Sequence, residues 1–158
     1  MRKLIASSLL LALFNTFGYT VLVPTSIAQT VSQRTATTTN SVVQRLNGRW
    51  QNLSNPQTLS LVFAPNNRLS IVLPSNSGRS AVTQVTYRII SATSSPMQID
   101  LTTTDNKTAL TIFEFTNDGN LRIQLRDVNP GETRPTAFKP SAMTFKKVSN
   151  ATTAPGNR

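Results

Sequence analysis

Residues 109–125 read ALTIFEFTNDGNLRIQL, and this stretch carries the clearest structural signal in the chain. A nearly continuous apolar run is followed by the turn sequence NDGN at 117–120, and then by LRIQL at 121–125, in which apolar side chains alternate with polar ones. The Asp-Gly pair supplies the positive φ that a tight hairpin requires. The stretch therefore predicts two antiparallel strands joined by a short turn.

The same period of two recurs along most of the chain. A segment around Trp50 brings the number of predicted strands to eight, nearly all joined by short polar turns. Strands joined in this way usually pair with their neighbours, and a sheet that closes on itself has no exposed edges. We therefore predict an all-β fold, an eight-stranded antiparallel up-and-down barrel, whose interior is either filled or holds one small ligand. The further strands are predicted at 59–63, 69–73, 85–89, 97–101 and 142–148.

The first 28 residues have the pattern of a secretory signal peptide. Two basic residues precede an apolar run from Leu4 to Phe14, and small residues at Ser26 and Ala28 match the positions that a signal peptidase reads. We expect cleavage after Ala28. The alternative is an uncleaved anchor, because weakly apolar residues continue to Val23. Export predicts the periplasm or the extracellular space, or the thylakoid lumen in a cyanobacterium.

The remaining chain divides by composition. Residues 29–40 are rich in Thr, Ser and Gln without apolar period, which predicts a flexible leader. Residues 41–148 form the predicted barrel domain, opening with a short helical turn that Ser41 caps. Residues 149–158 have no apolar anchor and predict a disordered tail.

The composition excludes several kinds of chemistry. The 158 residues include no Cys and no His. Disulfide frameworks, Cys/His metal sites and mechanisms that use imidazole or thiolate are therefore ruled out, and we expect neither a metal nor a cofactor.

The charge is strongly positive but scattered. The formal net charge is +10, six Arg and no acid occur between residues 29 and 99, and all six acids lie between Asp100 and Glu132. Such an excess favours acidic partners or anionic membrane surfaces. The few aromatic residues argue against a stacking platform for nucleic acid, so no nucleic-acid partner is predicted.

The sequence Gly48-Arg49-Trp50 at the start of the first strand resembles that of lipocalin-like barrels, in which the Trp closes one end. Residues 96–101, 112–123 and 134–138 follow in an order similar to that of small exported bacterial domains, including cyanobacterial ones, with a lipocalin-like barrel. The resemblance covers about residues 46–148. It implies that an Arg near the end of the barrel lies across the Trp50 indole, and Arg134 is the candidate.

The candidate residues for ligand binding or barrel closure are three aromatics, one acid and two arginines. The side of the sheet on which Glu114 lies depends on the turn at Asp118-Gly119, and two turns are possible. A two-residue turn at Asp118-Gly119 would place its carboxylate inside, within reach of Arg122 or Arg134. A bulged turn would place Phe113 and Phe115 inside and Glu114 in water, which the cost of an unpaired buried carboxylate favours. The candidates are Trp50, Tyr87, Phe113, Glu114, Arg122 and Arg134.

Two non-catalytic functions follow. One is a monomeric binding module that holds a small apolar or amphipathic molecule in the mouth of the barrel. The other is a structural or accessory protein with a solid barrel, which docks through its basic surface on an acidic partner or a membrane-associated complex. A hydrolytic pair of Asp100 and Glu114 is not favoured, because the turn that puts Glu114 inside leaves Asp100 outside. We therefore predict that the protein is not an enzyme.

Overall fold

The computed structural model describes residues 26–55, 59–73 and 80–154. Within them the chain forms one helix and eight strands. Most of the predicted signal segment lies outside the described residues, so its removal stays a prediction. The elements in chain order are α1 Ser26–Leu46, β1 Gly48–Asn52, β2 Ser60–Ala64, β3 Arg68–Leu73, β4 Ala81–Ser91, β5 Met97–Thr103, β6 Thr108–Phe115, β7 Leu121–Ile123 and β8 Met143–Ser149.

The eight strands form a closed antiparallel barrel, as predicted. Each strand is hydrogen-bonded to the strands before and after it, and β1 is hydrogen-bonded to β8. Because side chains alternate across a strand, every second residue faces inward. On β2, for example, Leu61 and Phe63 are fully buried and lie opposite Ile71 and Leu69 of β3. The period-two runs of the sequence therefore identify the inner face of the barrel.

The core of the barrel is aromatic at one end and aliphatic at the other. Phe63 and Tyr87 pack edge to face, with ring centroids 5.3 Å apart. Six aromatic residues belong to the buried cluster or pack against it: Trp50, Phe63, Tyr87, Phe113, Phe115 and Phe145.

The barrel closes where β1 meets β8. The register shifts between Arg49 and Trp50, so this contact contains a bulge. Gly48 lies beside the bulge with φ +119°, and a Cβ atom at this position would be 2.5 Å from the carbonyl oxygen of Ser149. Only glycine lets the two strands approach so closely.

Helix α1 is longer than predicted. The expected helical turn at Ser41 is only its last part, because the helix begins at Ser26 and includes all of the predicted leader at 29–40. The hydroxyl groups of Thr37 and Thr38 donate to the carbonyl oxygens of Gln33 and Arg34, four residues earlier. Polar side chains that predicted a flexible segment are thus satisfied within the helix.

The chain after β8 and the helix before β1 form the two ends of the described residues. Residues 150–154 follow β8 without helix or strand, and residues 155–158 lie outside the described part. In the residues that are described, the helix is not apolar enough over its length to cross a bilayer.

Candidate ligand-binding site

One end of the barrel, here called the closed end, is covered by helix α1. Val42 and Leu46 of the helix belong to the buried core. The indole N–H of Trp50 donates to the carbonyl oxygen of Leu46 at 2.7 Å, which satisfies both groups where the helix enters β1. The last helical turn therefore fills this end of the barrel with apolar side chains.

Two cations lie against the aromatic rings of the closed end. The guanidinium of Arg45 lies 3.9 Å from the centre of the Phe115 ring, and the ammonium group of Lys147 lies 5.6 Å from the centre of the Trp50 ring. The Lys147 ammonium also donates to the carbonyl oxygen of Arg45 at 3.2 Å. Burial at this position lowers the pKa of Lys147.

Arg134 does not lie across Trp50, so that expectation from the resemblance is corrected. Its guanidinium donates to Asp100 and to the carbonyl oxygens of Ile99 and Thr111. Asp100 points outward, because Ile99 on its one side is part of the core. The cation beside the Trp50 ring is Lys147, which pairs with Trp50 across the β1–β8 contact. The resemblance implied that Arg134 lies at the end of the barrel. Instead, the loop that carries Arg134 runs along the outside of the barrel, where Arg134 binds Asp100.

The long connection from Arg126 to Ala142 is attached to the outer face by buried polar groups. Arg134 and Asp100 form an ion pair whose side chains are 17% and 7% exposed. Gln124, which is fully buried, donates to the carbonyl oxygen of Arg126 at 2.7 Å and to the Ser141 hydroxyl at 2.9 Å. Its own side-chain oxygen accepts the backbone N–H of Lys139. One glutamine thus joins both ends of the connection.

Glu114 faces outward, and the turn explains why. In the β6–β7 hairpin Gly119 has a positive φ of +77°, whereas Asp118 is not among the residues with positive φ. A two-residue turn of type I′ needs positive φ at both positions, so the loop is the bulged alternative. Phe115 then pairs with Leu121 and Glu114 with Arg122, whose guanidinium lies 3.4 Å from the carboxylate.

The acids Asp100 and Glu114 do not form a shared cleft. Asp100 lies opposite Leu110 on β6, four residues from Glu114, which corresponds to a separation of roughly 13 Å along the strand. Paired carboxylates of glycosidases lie within about 10 Å. Asp100 also holds Arg88 and Arg134, and Glu114 holds Arg122.

The opposite end of the barrel, here called the open end, contains a cavity of about 430 Å³. Its floor is formed by Leu59, Val85 and Leu101, which keep 7–8% of their surface exposed, whereas Leu73 at the rim is 46% exposed. Ten of the lining residues are apolar. The complete lining within the described residues is Leu59, Ile71, Leu73, Thr83, Val85, Leu101, Thr103, Lys107, Ala109, Leu125, Arg126, Val128, Pro130 and Met143.

In the part of the lining that the structure describes, the charged groups are two cations, Lys107 and Arg126. Lys107 forms an ion pair of 3.0 Å with Asp105, which lies in the β5–β6 turn and does not line the cavity. The hydrogen bond from Thr103 and the contact with Lys107 lower the pKa of Asp105, so that this carboxyl stays ionised in ordinary conditions. The guanidinium of Arg126 has no hydrogen-bond or ion-pair partner in the part of the chain that the structure describes.

None of the six candidate residues lines this cavity. Tyr87 and Phe113 lie deeper in the core, Trp50 lies at the closed end, and the other three lie outside the barrel. The cavity is formed instead by residues in or beside the strands at the opposite end of the barrel, together with Lys107 of the β5–β6 turn and Arg126, Val128 and Pro130 of the long connection. The period of two identified most of the apolar strand residues as inward, but not the residues of the turn and the connection, and which end stays open depends on where α1 packs.

Comparisons with protein-family models, curated proteins and solved structures find no match to this chain. Among the described residues, no three acidic side chains come together as they would at a metal site. The cavity at the open end is therefore the candidate site.

Proposed function

We propose that this protein is a non-catalytic, exported binding module, with a barrel of the lipocalin-like up-and-down type that holds one small apolar or amphipathic molecule at its open end. The observation that carries the proposal is the cavity of about 430 Å³. This volume falls within the range of about 300–1,000 Å³ that small-molecule sites occupy.

The shape of the barrel supports binding from one side. Helix α1 and the rings of Trp50 and Phe115 occupy the closed end. The cavity lies among the strand ends at the opposite end of the barrel. An apolar molecule that enters there displaces water from a mostly aliphatic wall, which is favourable in proportion to the apolar area covered.

The alternative function is docking of a solid barrel through its basic surface, and it requires a filled interior. The cavity favours the binding module over this alternative. The two functions also differ in their response to salt, because attraction between an exposed basic surface and an acidic partner weakens as ionic strength rises.

The test is a titration of the purified protein with a fluorescent fatty-acid or retinoid probe. We expect saturable binding with one probe per chain. The variant Ala109→Phe places a ring inside the cavity and should abolish this binding. The control is Ala64→Phe, the same change at the other end of the barrel on the strand β2, which should bind as the wild type does.

Two results would contradict the proposal. One is a probe signal that does not saturate, and the other is equal binding by the Ala109→Phe and Ala64→Phe variants while both stay folded by circular dichroism. Capture by anionic vesicles that salt abolishes, without probe binding, would support the docking alternative.

A further inference from the structure

Within the described residues, the charged side chains that line the cavity are both cations, Lys107 and Arg126. The nearest acid in sequence to Arg126 is Asp127, whose carboxylate accepts a hydrogen bond from the Ser141 hydroxyl at 2.5 Å. Asp105 is held by Thr103 and Lys107. Glu132, in the same connection as Arg126, accepts hydrogen bonds from the backbone and side chain of Asn129. These three acids are therefore engaged with partners.

Arg126 lies at the rim of the cavity, where its backbone is bonded to the barrel and its guanidinium is exposed. Its carbonyl oxygen accepts the buried Gln124 side chain at 2.7 Å, so the base of the residue is tied to the barrel. Leu125 and Val128, on its two sides, line the cavity. The exposed guanidinium is thus placed beside the apolar entrance with its donors unused among the described residues, and a guanidinium matches carboxylate and phosphate oxygens in geometry.

Among the described residues, the interior offers no comparable polar group. The polar side chains of the wall other than the two cations are Thr83, which is exposed, and Thr103. The Thr103 hydroxyl is already used, since it bonds Asp105 and the backbone of Lys107. The part of a ligand that lies inside must therefore be apolar, because a buried polar group without a partner is unfavourable.

The volume limits the length of that apolar part. A methylene group takes up about as much room as a water molecule, about 30 Å³. A cavity of about 430 Å³ then holds a chain of at most roughly fourteen carbons. A chain of about twelve carbons fits within this limit and leaves its head group at the rim.

We propose that the ligand is a single-chain amphiphile with an oxyanion head, whose chain lies in the cavity and whose head binds Arg126, with Lys107 as the second cation. This inference rests on the proposed binding function and goes beyond it, because it assigns the class of ligand and the residue that selects it. The shared chemistry of the head is that of a carboxylate or a phosphate.

The experiment compares four probes with the same twelve-carbon chain by titration calorimetry of the full-length chain at low salt. The probes are laurate, dodecyl phosphate, dodecanol and dodecyltrimethylammonium. We expect at least one of the two anions to bind about tenfold more tightly than dodecanol, and the cation to bind most weakly. The preference should shrink in high salt, because the rim is exposed. Comparison of the two anions identifies the head.

Variants of the rim assign the preference to its residues. Arg126→Gln should remove most of the advantage of the anions and leave dodecanol binding unchanged. Asp105→Asn releases Lys107 and should tighten anion binding severalfold. The matched control is Arg34→Gln, which removes the same charge from an exposed position on α1 and should behave as the wild type.

A shorter series tests the size of the cavity. From hexanoate to decanoate, affinity should rise about fourfold per methylene group, and it should level off for chains longer than about fourteen carbons.

The outcomes separate this inference from the function on which it rests. Equal affinity for laurate, dodecyl phosphate, dodecanol and the ammonium probe would overturn the assignment of an oxyanion head and leave the binding function standing. Loss of anion preference in Arg34→Gln as well as in Arg126→Gln would also overturn it, because a general charge effect would then explain the preference. Absence of binding by all four probes would overturn both.

Discussion

Tyr87 carries a hydroxyl group that has no hydrogen-bond partner among the described residues. The side chain is 2% exposed and packs against Phe63 in the core. A buried hydroxyl without a partner lowers stability, because it has left water without compensation. We expect Tyr87→Phe to raise the free energy of unfolding by about 1 kcal/mol, measured by urea denaturation at pH 7.

The same residue predicts a dependence on alkaline pH. Burial raises the pKa of Tyr87 above its ordinary value, which is about 10. A raised pKa in the folded state means that stability is fully present below about pH 10 and is lost as the pH rises through the folded-state pKa. The difference in stability between Tyr87→Phe and wild type should therefore widen above pH 10. Lys147 titrates in both proteins and cancels in the difference. A constant difference up to pH 11.5 would contradict a buried phenol.

Arg134 binds the buried Asp100, and Lys147 lies beside the Trp50 ring. The resemblance had assigned the contact with Trp50 to Arg134. Removing Arg134 leaves the buried carboxylate of Asp100 with only the exposed Arg88. Arg134→Ala should cost roughly 3 kcal/mol of stability and leave the fluorescence of Trp50 in the folded protein unchanged. Lys147→Met should change that fluorescence, because the ammonium group lies beside the indole. Trp50 is the single tryptophan of the chain, so the spectra report on it alone. A fluorescence change in Arg134→Ala only would contradict these contacts.

At the scale of elements, the contact between β1 and β8 decides whether the barrel closes. Gly48 combines a positive φ with a close approach to the Ser149 carbonyl oxygen, whereas Gly131 has a positive φ of +86° and open space around it. We expect Gly131→Ala to cost about 1 kcal/mol, which is the conformational cost alone. Gly48→Ala should cost at least about twice as much, because a backbone atom must also move.

Hydrogen exchange measures the consequence of these two changes. Amides of β8 should exchange faster in Gly48→Ala than in wild type, while Gly131→Ala leaves them protected. Equal destabilisation by the two substitutions would show that the approach at Gly48 does not hold the two strands together.

The elements also show what local sequence could and could not predict. Alternation in residues 109–125 identified β6 and β7, and the Asp-Gly pair identified their turn. Whether that turn had two residues or a bulge stayed open, and so did the side on which Glu114 lies, because a shift of one residue moves each side chain to the opposite face. The predicted start of α1 was wrong, because the Thr-rich part of the helix has no apolar period. Hydroxyl groups of this part are bonded within the helix instead.

For the molecule as a whole, ligand binding should appear as added stability. A ligand that binds only the folded barrel raises the free energy of unfolding by about 2.7 kcal/mol at a concentration one hundred times its Kd. For a domain of this size that corresponds to a rise in Tm of roughly 8 °C. Scanning calorimetry with the anionic probe should show this rise for wild type and Ala64→Phe, and none for Ala109→Phe. An unchanged Tm at saturation would show that the probe binds without preferring the folded barrel.

The sequence by itself determined the number of strands, the inner face of every strand except β6, and the absence of thiol and imidazole chemistry. These properties depend on residue type and on local period, because side chains alternate along a strand wherever it lies. Only the tertiary structure decided which end of the barrel is open, where Arg134 binds and which residues line the cavity. These depend on the packing of α1 and on the registers of all eight strands together. Residues as distant as Leu59, Leu101 and Met143 become neighbours only when the barrel closes.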